Sequence, residues 1–258
     1  MRGALERNEF RAYFQPKINL VTGKIEACEA LARWVRPDRT IVSPGRFIPV
    51  AEESGLIGPL SEAITREACW KAASWARAGM PANVSVNVSA LQFRNDRFAD
   101  HVLQIVNHAG LAPQRLELEI TESVAMEDPE RTLRIVKPLR EAGVRLAIDD
   151  FGCGHSSLSA LSKLPFDVIK IDQTFVRGIG KDGGQSAAII EMILALAGAL
   201  NLEVVAEGVE QPEQMRFMAE RGCQWVQGFL YGAAVSAPEF AEMLRKQSGD
   251  DVVSEDAA

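Results

Sequence analysis

Short β-rich runs alternate with amphipathic helical stretches over most of this chain, and that alternation restricts its fold more than any other feature. Eight runs have the composition of strands, at residues 12–19, 25–34, 83–89, 115–121, 145–149, 168–171, 203–206 and 225–230. Strands separated by helices form a mostly parallel sheet, because a parallel connection needs a crossover of about a dozen residues or more. The pattern therefore predicts an α/β fold.

The first two runs are an exception, because only a short turn containing Val21, Thr22 and Gly23 separates them. Such a turn is too short for a parallel crossover, so the two runs must pair as an antiparallel hairpin. Eight strands with interleaved helices close naturally into a modified TIM (β/α)8 barrel with an antiparallel first strand. An open doubly wound sheet is the alternative that periodicity does not exclude, although no glycine-rich dinucleotide loop supports it.

The length and composition suit one domain with a large core. The 258 residues are 47% hydrophobic, which predicts a single barrel over residues 1–246 and a polar, acidic, disordered tail over 247–258. A formal charge of −7 and a pI near 5.2 argue against binding to nucleic-acid polymers or to anionic membranes. A phosphate-ester substrate would need local compensation for that charge, and bound divalent metal ions would provide it.

The cysteines and histidines indicate the redox environment of the protein and the ligand type of any metal site. Four widely spaced cysteines show no zinc-ligand or redox spacing, which predicts a reduced environment: Cys28, Cys69, Cys153 and Cys223. The longest apolar stretch, 187–200, is broken by Glu191 and is too short to span a bilayer, and the N-terminus lacks a signal-peptide pattern. We therefore expect a soluble, cytoplasmic domain without membrane contact. Only three histidines occur, so any metal should be bound by oxygen.

Polar residues recur at the carboxyl ends of the predicted strands, where barrel enzymes place their active sites. In chain order they are Glu29, Asn87, Glu119, Glu122, Asp149, Asp150, Lys170, Asp172, Glu207, Glu210 and Gln227. Any one of them alone could be a solvated strand end or part of a turn. Carboxylates that converge on one mouth raise one another's pKa values unless cations neutralise them, so the repetition favours a metal site. Oxygen ligands of this kind suit Mg²⁺ or Mn²⁺, and two ions roughly 4 Å apart would serve in-line displacement at phosphorus.

An ordered series of motifs over about residues 1 to 245 resembles the EAL domain family. The motifs are Tyr13-Phe14-Gln15-Pro16, Glu29-Ala30-Leu31, Asn87-Val88-Ser89, Ile120-Thr121-Glu122, Asp149-Asp150-Phe151-Gly152, Lys170-Ile171-Asp172, Ala206-Glu207-Gly208-Val209-Glu210 and Gln227-Gly228. The resemblance implies a phosphodiesterase that hydrolyses cyclic di-GMP to linear pGpG with two Mg²⁺ or Mn²⁺ ions and is inhibited by Ca²⁺.

The same resemblance assigns roles to individual residues. It implies one metal ion bound by four residues and a second ion bound mainly by Asp150, with Glu207 in the same acidic cluster; the four are Glu29, Asn87, Glu119 and Asp149. Lys170 is similar to a catalytic lysine that holds or helps to deprotonate the attacking water, and Gln227 is expected to position that water. Glu122 resembles a residue that anchors the loop after Asp150.

Four residues are predicted to contact the substrate. Arg33 lies four residues beyond Glu29 and so on the same strand face, where its guanidinium could bind a phosphate; a surface salt bridge is the other interpretation. By resemblance, Gln15 and the segment containing Phe47 are expected to contact guanine, and Asp172 is expected at the same site.

The loop after Asp150 departs from the pattern of the family at two positions. Cys153 stands where the family commonly has threonine, and His155 stands where it commonly has an aromatic residue. A small substitute for threonine is the plainer interpretation of Cys153, although a reactive thiol is an alternative. The glycine spacing is kept, so a functional loop is expected.

Two other functions remain open at this point. Some EAL domains have lost catalysis and act as cyclic di-GMP receptors or interaction modules, and a generic barrel phosphatase is a more distant third possibility. The helical stretch 187–200 is apolar over more than one face, which makes it a candidate homodimer surface or a deeply buried helix. Sensory or GGDEF domains are expected to be linked to, or associated with, this domain.

Overall fold

The computed structural model describes residues 1–154 and 158–255. Its strands are β1 Phe10–Asn19, β2 Ile25–Val35, β3 Ile41–Val42, β4 Asn83–Asn87, β5 Leu116–Thr121, β6 Arg145–Phe151, β7 Val168–Ile171, β8 Glu203–Ala206, β9 Trp225–Gln227 and β10 Val235–Ser236. Its α-helices are α1 Arg2–Glu6, α2 Pro44–Glu53, α3 Ile57–Arg77, α4 Ala90–Phe93, α5 Phe98–Ala109, α6 Glu122–Glu127, α7 Pro129–Glu141, α8 Leu158–Leu161, α9 Gln173–Gly178, α10 Gln185–Leu200, α11 Pro212–Glu220 and α12 Ala237–Glu255. One 3-10 turn, Pro113–Arg115, precedes β5.

Eight of these strands form a closed barrel in the order β1-β9-β8-β7-β6-β5-β4-β2, and pairing between β1 and β2 closes it. β1 runs antiparallel to both of its neighbours, whereas the other adjacent barrel strands are parallel to each other. The predicted barrel with an antiparallel first strand is confirmed, and the open-sheet alternative is wrong. The short strands β3 and β10 were not predicted, and they extend β2 and β1 at the rim.

The hairpin between β1 and β2 is set by its turn residues. The Asn19 side chain accepts hydrogen bonds from the backbone N–H groups of Val21, at 2.9 Å, and Thr22. Gly23 has a φ of +71°, which a residue with a side chain rarely adopts. This local chemistry reverses the chain within a few residues and makes the antiparallel pairing of β1 obligatory.

An aromatic cluster covers the outer face of the antiparallel strand. Phe14 of β1 is fully buried between Trp75 of α3 and Phe240 of α12, with ring centroids 4.9 and 6.0 Å away. Further along α12, the Gln247 side chain donates to the carbonyl of Ile25 and accepts from its N–H. The last helix therefore packs on the hairpin and seals the side of the barrel that has no crossover helix.

The barrel interior is largely ionic near the strand ends. Interiors of such barrels are usually filled by layers of branched apolar side chains. Here a small apolar cluster of Ala147, Val168 and Val205 lies toward the amino ends of the parallel strands. Buried Glu119 and Lys170 lie toward the carboxyl ends, whereas Glu117, Arg145 and Glu203 lie toward the amino ends. Lys17 contacts both Glu117 and Glu119, so charged side chains run through the barrel and include the end where barrel enzymes bind substrate.

The structure bears on two expectations: the lack of a membrane-spanning segment and the end of the domain near residue 247. Within the described residues, no helix combines the length and the apolar character needed to cross a membrane. The expected boundary at residue 247 stays a prediction. Helix α12 runs to Glu255, and residues 256–258 lie outside the described part of the chain.

The aromatic cluster leads to a stability prediction. Phe14→Ala should lower the free energy of unfolding by about 3–5 kcal/mol, because it leaves a cavity between two aromatic rings. Trp70→Ala is the matched control: its side chain is 61% exposed, and the loss should stay below about 1 kcal/mol. Denaturant unfolding of both variants measures the difference. Equal losses would mean that the cluster does not hold β1 in place.

Candidate active site

Four carboxylates converge on one buried ammonium group at the carboxyl ends of the strands. Lys170 of β7 is 1% exposed, and its Nζ lies 2.6 Å from Glu119 Oε2 and 2.7 Å from Glu207 Oε1. Asp149 Oδ1 lies at 3.0 Å and Glu29 Oε2 at 3.9 Å. These residues come from five different strands or strand ends, so only the closed barrel brings them together.

Burial and the neighbouring charges together set the pKa values of the lysine and of three of these carboxyl groups. Burial opposes the ammonium of Lys170, but the surrounding carboxylates outweigh burial and hold its pKa well above the usual value. Burial and neighbouring carboxylates raise the pKa of Glu29, and they raise that of Glu207 to about 8. Burial also acts against the charge of Glu119, yet Lys17 and Lys170 together lower its pKa. At neutral pH, Glu207 therefore tends to retain a proton.

Side-chain amides hold Glu29 in a fixed orientation. Asn87 of β4 donates from Nδ2 to Glu29 Oε1, and Gln227 of β9 donates from Nε2 to Glu29 Oε2, both at 2.6 Å. Gln227 also donates to Gln15 Oε1 at 3.0 Å, and Gln15 donates in turn to the Gly232 carbonyl. The predicted site residues of β1, β2, β4 and β9 thus form one hydrogen-bonded row along the mouth.

A bulge in β6 allows two consecutive aspartates to serve one site. Neighbouring residues of a regular strand point to opposite faces, but the register of β6 against β7 shifts between Ile148 and Phe151. Asp150 has a φ of +54°, a strained conformation for a non-glycine residue. Carboxylate oxygens of Asp149, Asp150 and Glu207 consequently lie within 4.8 Å of one another. Burial, followed by the charge of Asp149, raises the pKa of Asp150.

Glu122 lies where a loop anchor is required. It is the first residue of α6, its side chain is buried, and its Oε2 accepts a hydrogen bond from the Gly152 N–H at 2.9 Å. A Cβ atom on Gly154 would come within 2.6 Å of Glu122 Oε1, so only glycine fits there without a shift. These contacts support the predicted anchoring of the loop that follows Asp150.

Asp172 acts locally as a helix cap. Its Oδ1 accepts from the Thr174 N–H at 2.8 Å, and its side chain also interacts with the Cys153 thiol. The Cys153 side chain thus reaches the cap beside the loop, in keeping with its interpretation as a small hydrogen-bonding substitute. Contact of Asp172 with substrate stays a prediction, and His155 lies outside the described residues.

Arg33 is close to the barrel rim but does not line the mouth. Its guanidinium donates to the Ala32 carbonyl at 2.9 Å and lies 6.0 Å from the centre of the Tyr13 ring. Burial lowers the pKa of Arg33. Among the ion pairs of the described residues, none involves Arg33, so the structure offers no salt bridge in support of the alternative interpretation. Its contact with a phosphate stays a prediction.

The expected contact between Phe47 and guanine requires correction. Phe47 is 1% exposed, and its ring packs against Phe10 and Trp34 with centroids 5.3 and 6.4 Å apart. The residue lies on the inner side of α2, where it fixes that helix to the β1–β2 hairpin. Its side chain is therefore part of the core and is not available to a ligand.

The mouth of the barrel is a cavity of about 330 Å³ that contains groups absent from the sequence-based prediction. Gln173 and Arg177 of α9 line it, together with Phe229, whose side chain is largely exposed. Arg177 is paired with Glu210 at 3.0 Å. Helix α9 begins directly after the Lys170-Ile171-Asp172 motif, so polar residues in its sequence, such as Gln173 and Arg177, could have been predicted to face the mouth.

Lys17 is a second buried lysine that the motif analysis missed. Its Nζ lies 2.8 Å from Glu119 Oε1 and 3.1 Å from Glu117 Oε1. Burial opposes its charge, but these two carboxylates raise its pKa. The signal was present in the sequence, because Lys17 stands two residues after Gln15 and so shares its strand face.

The donor set fits an oxygen-liganded divalent cation. Asp149, Asp150 and Glu207 present carboxylate oxygens to a common point, and Glu29 and Glu119 lie next to them around Lys170. Burial and the neighbouring carboxylates raise the pKa values of Glu29 and Glu207, so an ion that offsets the negative charge would favour their ionised forms. The residues that are present therefore fit a divalent metal site.

By its architecture, the protein is a TIM-like α/β barrel with a mixed sheet and an acidic mouth. A family model described as "EAL domain" matches residues 1–234, and the chain belongs to that family. The resemblance seen in the motifs is therefore confirmed.

Relatives and solved structures agree with this assignment. The chain is 41% identical over 240 residues to "Bifunctional diguanylate cyclase/cyclic di-GMP phosphodiesterase MucR" of Pseudomonas aeruginosa, covering 93% of this chain and 35% of that protein. It is 44% identical over 248 residues to "Uncharacterized protein y4lL" of Sinorhizobium fredii, covering 96% and 30%. The chain thus spans about a third of the length of these curated relatives.

Two solved structures are similar to this chain in fold. The structure described as "PaMucR Phosphodiesterase, c-di-GMP complex" has a TM-score of 0.89 at 41% identity, covering 93% of this chain and 97% of that chain. The EAL domain of Mycobacterium smegmatis DcpA has a TM-score of 0.79 at 35% identity, covering 92% and 98%.

The raised pKa of Glu207 gives a pH-dependent prediction for the metal-free protein. Between the ordinary value of 4.5 and about 8, the folded protein binds more protons than the unfolded chain. The free energy of unfolding contributed by this group therefore falls as the pH rises through that window. Glu207→Gln removes the effect, so its stability relative to wild type should rise by roughly 1–3 kcal/mol across the window.

Denaturant unfolding in the presence of a chelator at several pH values measures this change. Glu213→Gln, on the exposed face of α11, is the control and should follow wild type. A constant difference between Glu207→Gln and wild type over the window would show that Glu207 is ionised throughout.

The contact between Glu122 and Gly152 gives a second prediction. Glu122→Ala removes the acceptor of the Gly152 N–H, so hydrogen exchange at that amide should speed up and half-saturation with Mn²⁺ should require about 10- to 100-fold more metal. Glu122→Gln keeps an oxygen acceptor and should change both quantities much less. Exchange mass spectrometry and calorimetry provide the two measurements, and unchanged exchange in Glu122→Ala would rule out the anchoring role.

Proposed function

We propose that this chain hydrolyses cyclic di-GMP to linear pGpG with the help of two Mg²⁺ or Mn²⁺ ions. One observation carries the proposal: the oxygens of Asp149, Asp150 and Glu207 meet within 4.8 Å beside the buried Lys170 ammonium. The name of the MucR relative and its solved complex with c-di-GMP support the choice of substrate. The cavity of about 330 Å³ above the cluster supports binding of a compact nucleotide.

Glu29, Asn87, Glu119 and Asp149 would hold one metal ion, and Asp150 with Glu207 would hold the other. When bound, the ions would neutralise charge on the phosphate and lower the pKa of water. The bulge at Asp150 supports this division, because it turns the second aspartate toward the same mouth as the first.

The role of Lys170 in the reaction follows from its charge. Its buried ammonium lies 2.7 Å from Glu207 and 3.0 Å from Asp149, where it would hold and orient the attacking water or help to deprotonate it. Gln227, fixed by its bonds to Gln15 and Glu29, would hold the same water from the other side.

Hydrolysis needs no redox partner and no group donor. The water oxygen forms a bond to one phosphorus, the P–O3′ bond breaks, and the 3′ oxygen takes up a proton to give pGpG.

The predicted substrate contacts lie around the mouth. Arg33 would bind a phosphate if its side chain turns from the Ala32 carbonyl toward the mouth, and Asp172 would act near the substrate through the Asp150 loop. Gln15 would contact the ligand at the rim.

Wider features of the protein are part of the same proposal. We place the domain in the cytoplasm, as a homodimer that is linked to or associated with sensory or GGDEF domains. Exposure of 63% at Met192 of the apolar helix α10 supports the dimer surface. The limited share of each curated relative that the chain covers supports the linked domains.

Nucleotide chromatography after incubation with cyclic di-GMP and Mn²⁺ tests the function directly. Wild type should form pGpG with Mn²⁺ or Mg²⁺ but not with Ca²⁺, which prefers more ligands and longer bonds. Asp149→Asn should reduce turnover by more than about 100-fold, beyond the range for residues that only support ligands. Circular dichroism of Asp149→Asn checks that the fold is intact.

The outcomes separate the candidate functions. Tight binding of cyclic di-GMP without product would favour the receptor alternative. Turnover of small phosphate monoesters without cleavage of cyclic di-GMP would favour a generic phosphatase. Equal rates with Ca²⁺ and Mn²⁺ would argue against the two-metal arrangement.

A further inference from the structure

Charged side chains of alternating sign continue from the acidic mouth into the barrel interior. Glu203, at the start of β8, pairs with Arg145 of β6 at 3.0 Å, and Arg145 lies 3.5 Å from Glu117 of β5. Glu117 pairs with Lys17 at 3.1 Å, and Lys17 pairs with Glu119 at 2.8 Å. We call these five residues the ionic column. It ends at the carboxylates around Lys170, namely Glu29, Glu119, Asp149, Asp150 and Glu207, which we call the ligand cluster.

Lys17 is the member of the column that reaches the cluster. It lies on the antiparallel strand β1, opposite Ala27 of β2 and Gln227 of β9, and its side chain is almost fully buried. The side chain crosses the interior to β5, which is separated from β1 by β2 and β4. Its position therefore depends on the barrel closure made by the unusual first strand.

Glu119 is held between two ammonium groups, one on each oxygen. Lys17 Nζ contacts Oε1 at 2.8 Å, Lys170 Nζ contacts Oε2 at 2.6 Å, and the Glu119 side chain is 0% exposed. Charge-assisted hydrogen bonds on both oxygens fix the plane of a carboxylate. Only Oε2 is then directed toward Lys170 and the remaining carboxylates.

We propose that Lys17 is a positioning residue for metal binding, since it occupies Glu119 Oε1 and thereby directs Oε2 into the ligand cluster. This inference rests on the proposed function, because it assumes that the cluster binds metal. Without Lys17, the Glu119 carboxylate would be free to rotate, and Lys170 would be its one cationic partner among the described residues. The chain would then hold the ligand in several orientations, of which few suit an ion.

A purely structural role makes a different prediction. If the column only fills the barrel, removing any of its ion pairs should have the same consequence for the cluster. The Arg145–Glu203 pair belongs to the column but does not contact Glu119, so it provides a control of equal charge change; its side chains are 27% and 40% exposed, against 3% and 12% for Lys17 and Glu117. Each double variant below removes one positive and one negative charge, which leaves the net charge unchanged.

The experiment compares Lys17→Met/Glu117→Gln with Arg145→Met/Glu203→Gln in the full chain after treatment with a chelator. Calorimetry with Mn²⁺ alone is the readout, and thermal unfolding without metal checks the fold. We expect the Lys17 variant to bind Mn²⁺ about 10- to 100-fold more weakly, and the control variant to bind like wild type. Equal Mn²⁺ affinity in wild type and both variants, or equal weakening in both variants, would overturn the proposal.

A conservative variant covers the case in which the Lys17 double variant does not fold. Lys17→Arg keeps the charge but replaces a point donor by a planar fork, which would engage both Glu119 oxygens and turn the carboxylate. Weaker Mn²⁺ binding at an unchanged unfolding temperature supports positioning, whereas unchanged binding overturns it.

The cleavage assay on wild type keeps the two proposals apart. If wild type binds Mn²⁺ but does not cleave cyclic di-GMP, the hydrolase proposal fails and the affinity comparison still decides the role of Lys17. If wild type cleaves and the Lys17 variants bind Mn²⁺ normally, only the positioning proposal fails. Absence of Mn²⁺ binding by wild type would overturn both.

Discussion

The charge of Lys170 is the constraint on which the rest of the site depends. Carboxylates from four other strands lie within 4 Å of its ammonium, and a group of this kind is stable only because that charge offsets part of their mutual repulsion. Four carboxylates face this one ammonium, and burial together with the neighbouring carboxylates raises the pKa of Glu207. Carboxylates gathered at one barrel mouth in this way are the oxygen ligands that a divalent cation prefers.

Local pattern was sufficient to predict the architecture. The alternation of strands with helices, the short turn at Gly23 and the polar groups at strand ends are all encoded within a few residues, so they are visible without the fold. All eight predicted strands begin within two residues of the observed start, and β6 continues to Phe151. The acidic residues at the mouth were visible for the same reason, because carboxylates recur at the carboxyl ends of several parallel strands; their roles as ligands stay a prediction.

Tertiary arrangement decides features that local pattern does not show. Phe47 belongs to the core because its helix packs on the hairpin. Lys17 was overlooked because a lysine in a strand is usually a solvent-exposed residue, and only barrel closure shows that it reaches across to Glu119. The bulge that reorients Asp150 is likewise a property of the pairing between β6 and β7, which the sequence does not display.

The mouth and the interior of this barrel are under different physical constraints. Replacing a carboxylate at the mouth, such as Glu207, relieves repulsion, so stability does not require that residue and only ligand binding does. Removing one partner of a buried pair, such as Lys17 with Glu117, leaves an uncompensated charge and costs about 3–5 kcal/mol. Sequence change at the mouth can therefore remove a carboxylate while the fold survives. The set of mouth carboxylates in this chain is thus not explained by stability alone.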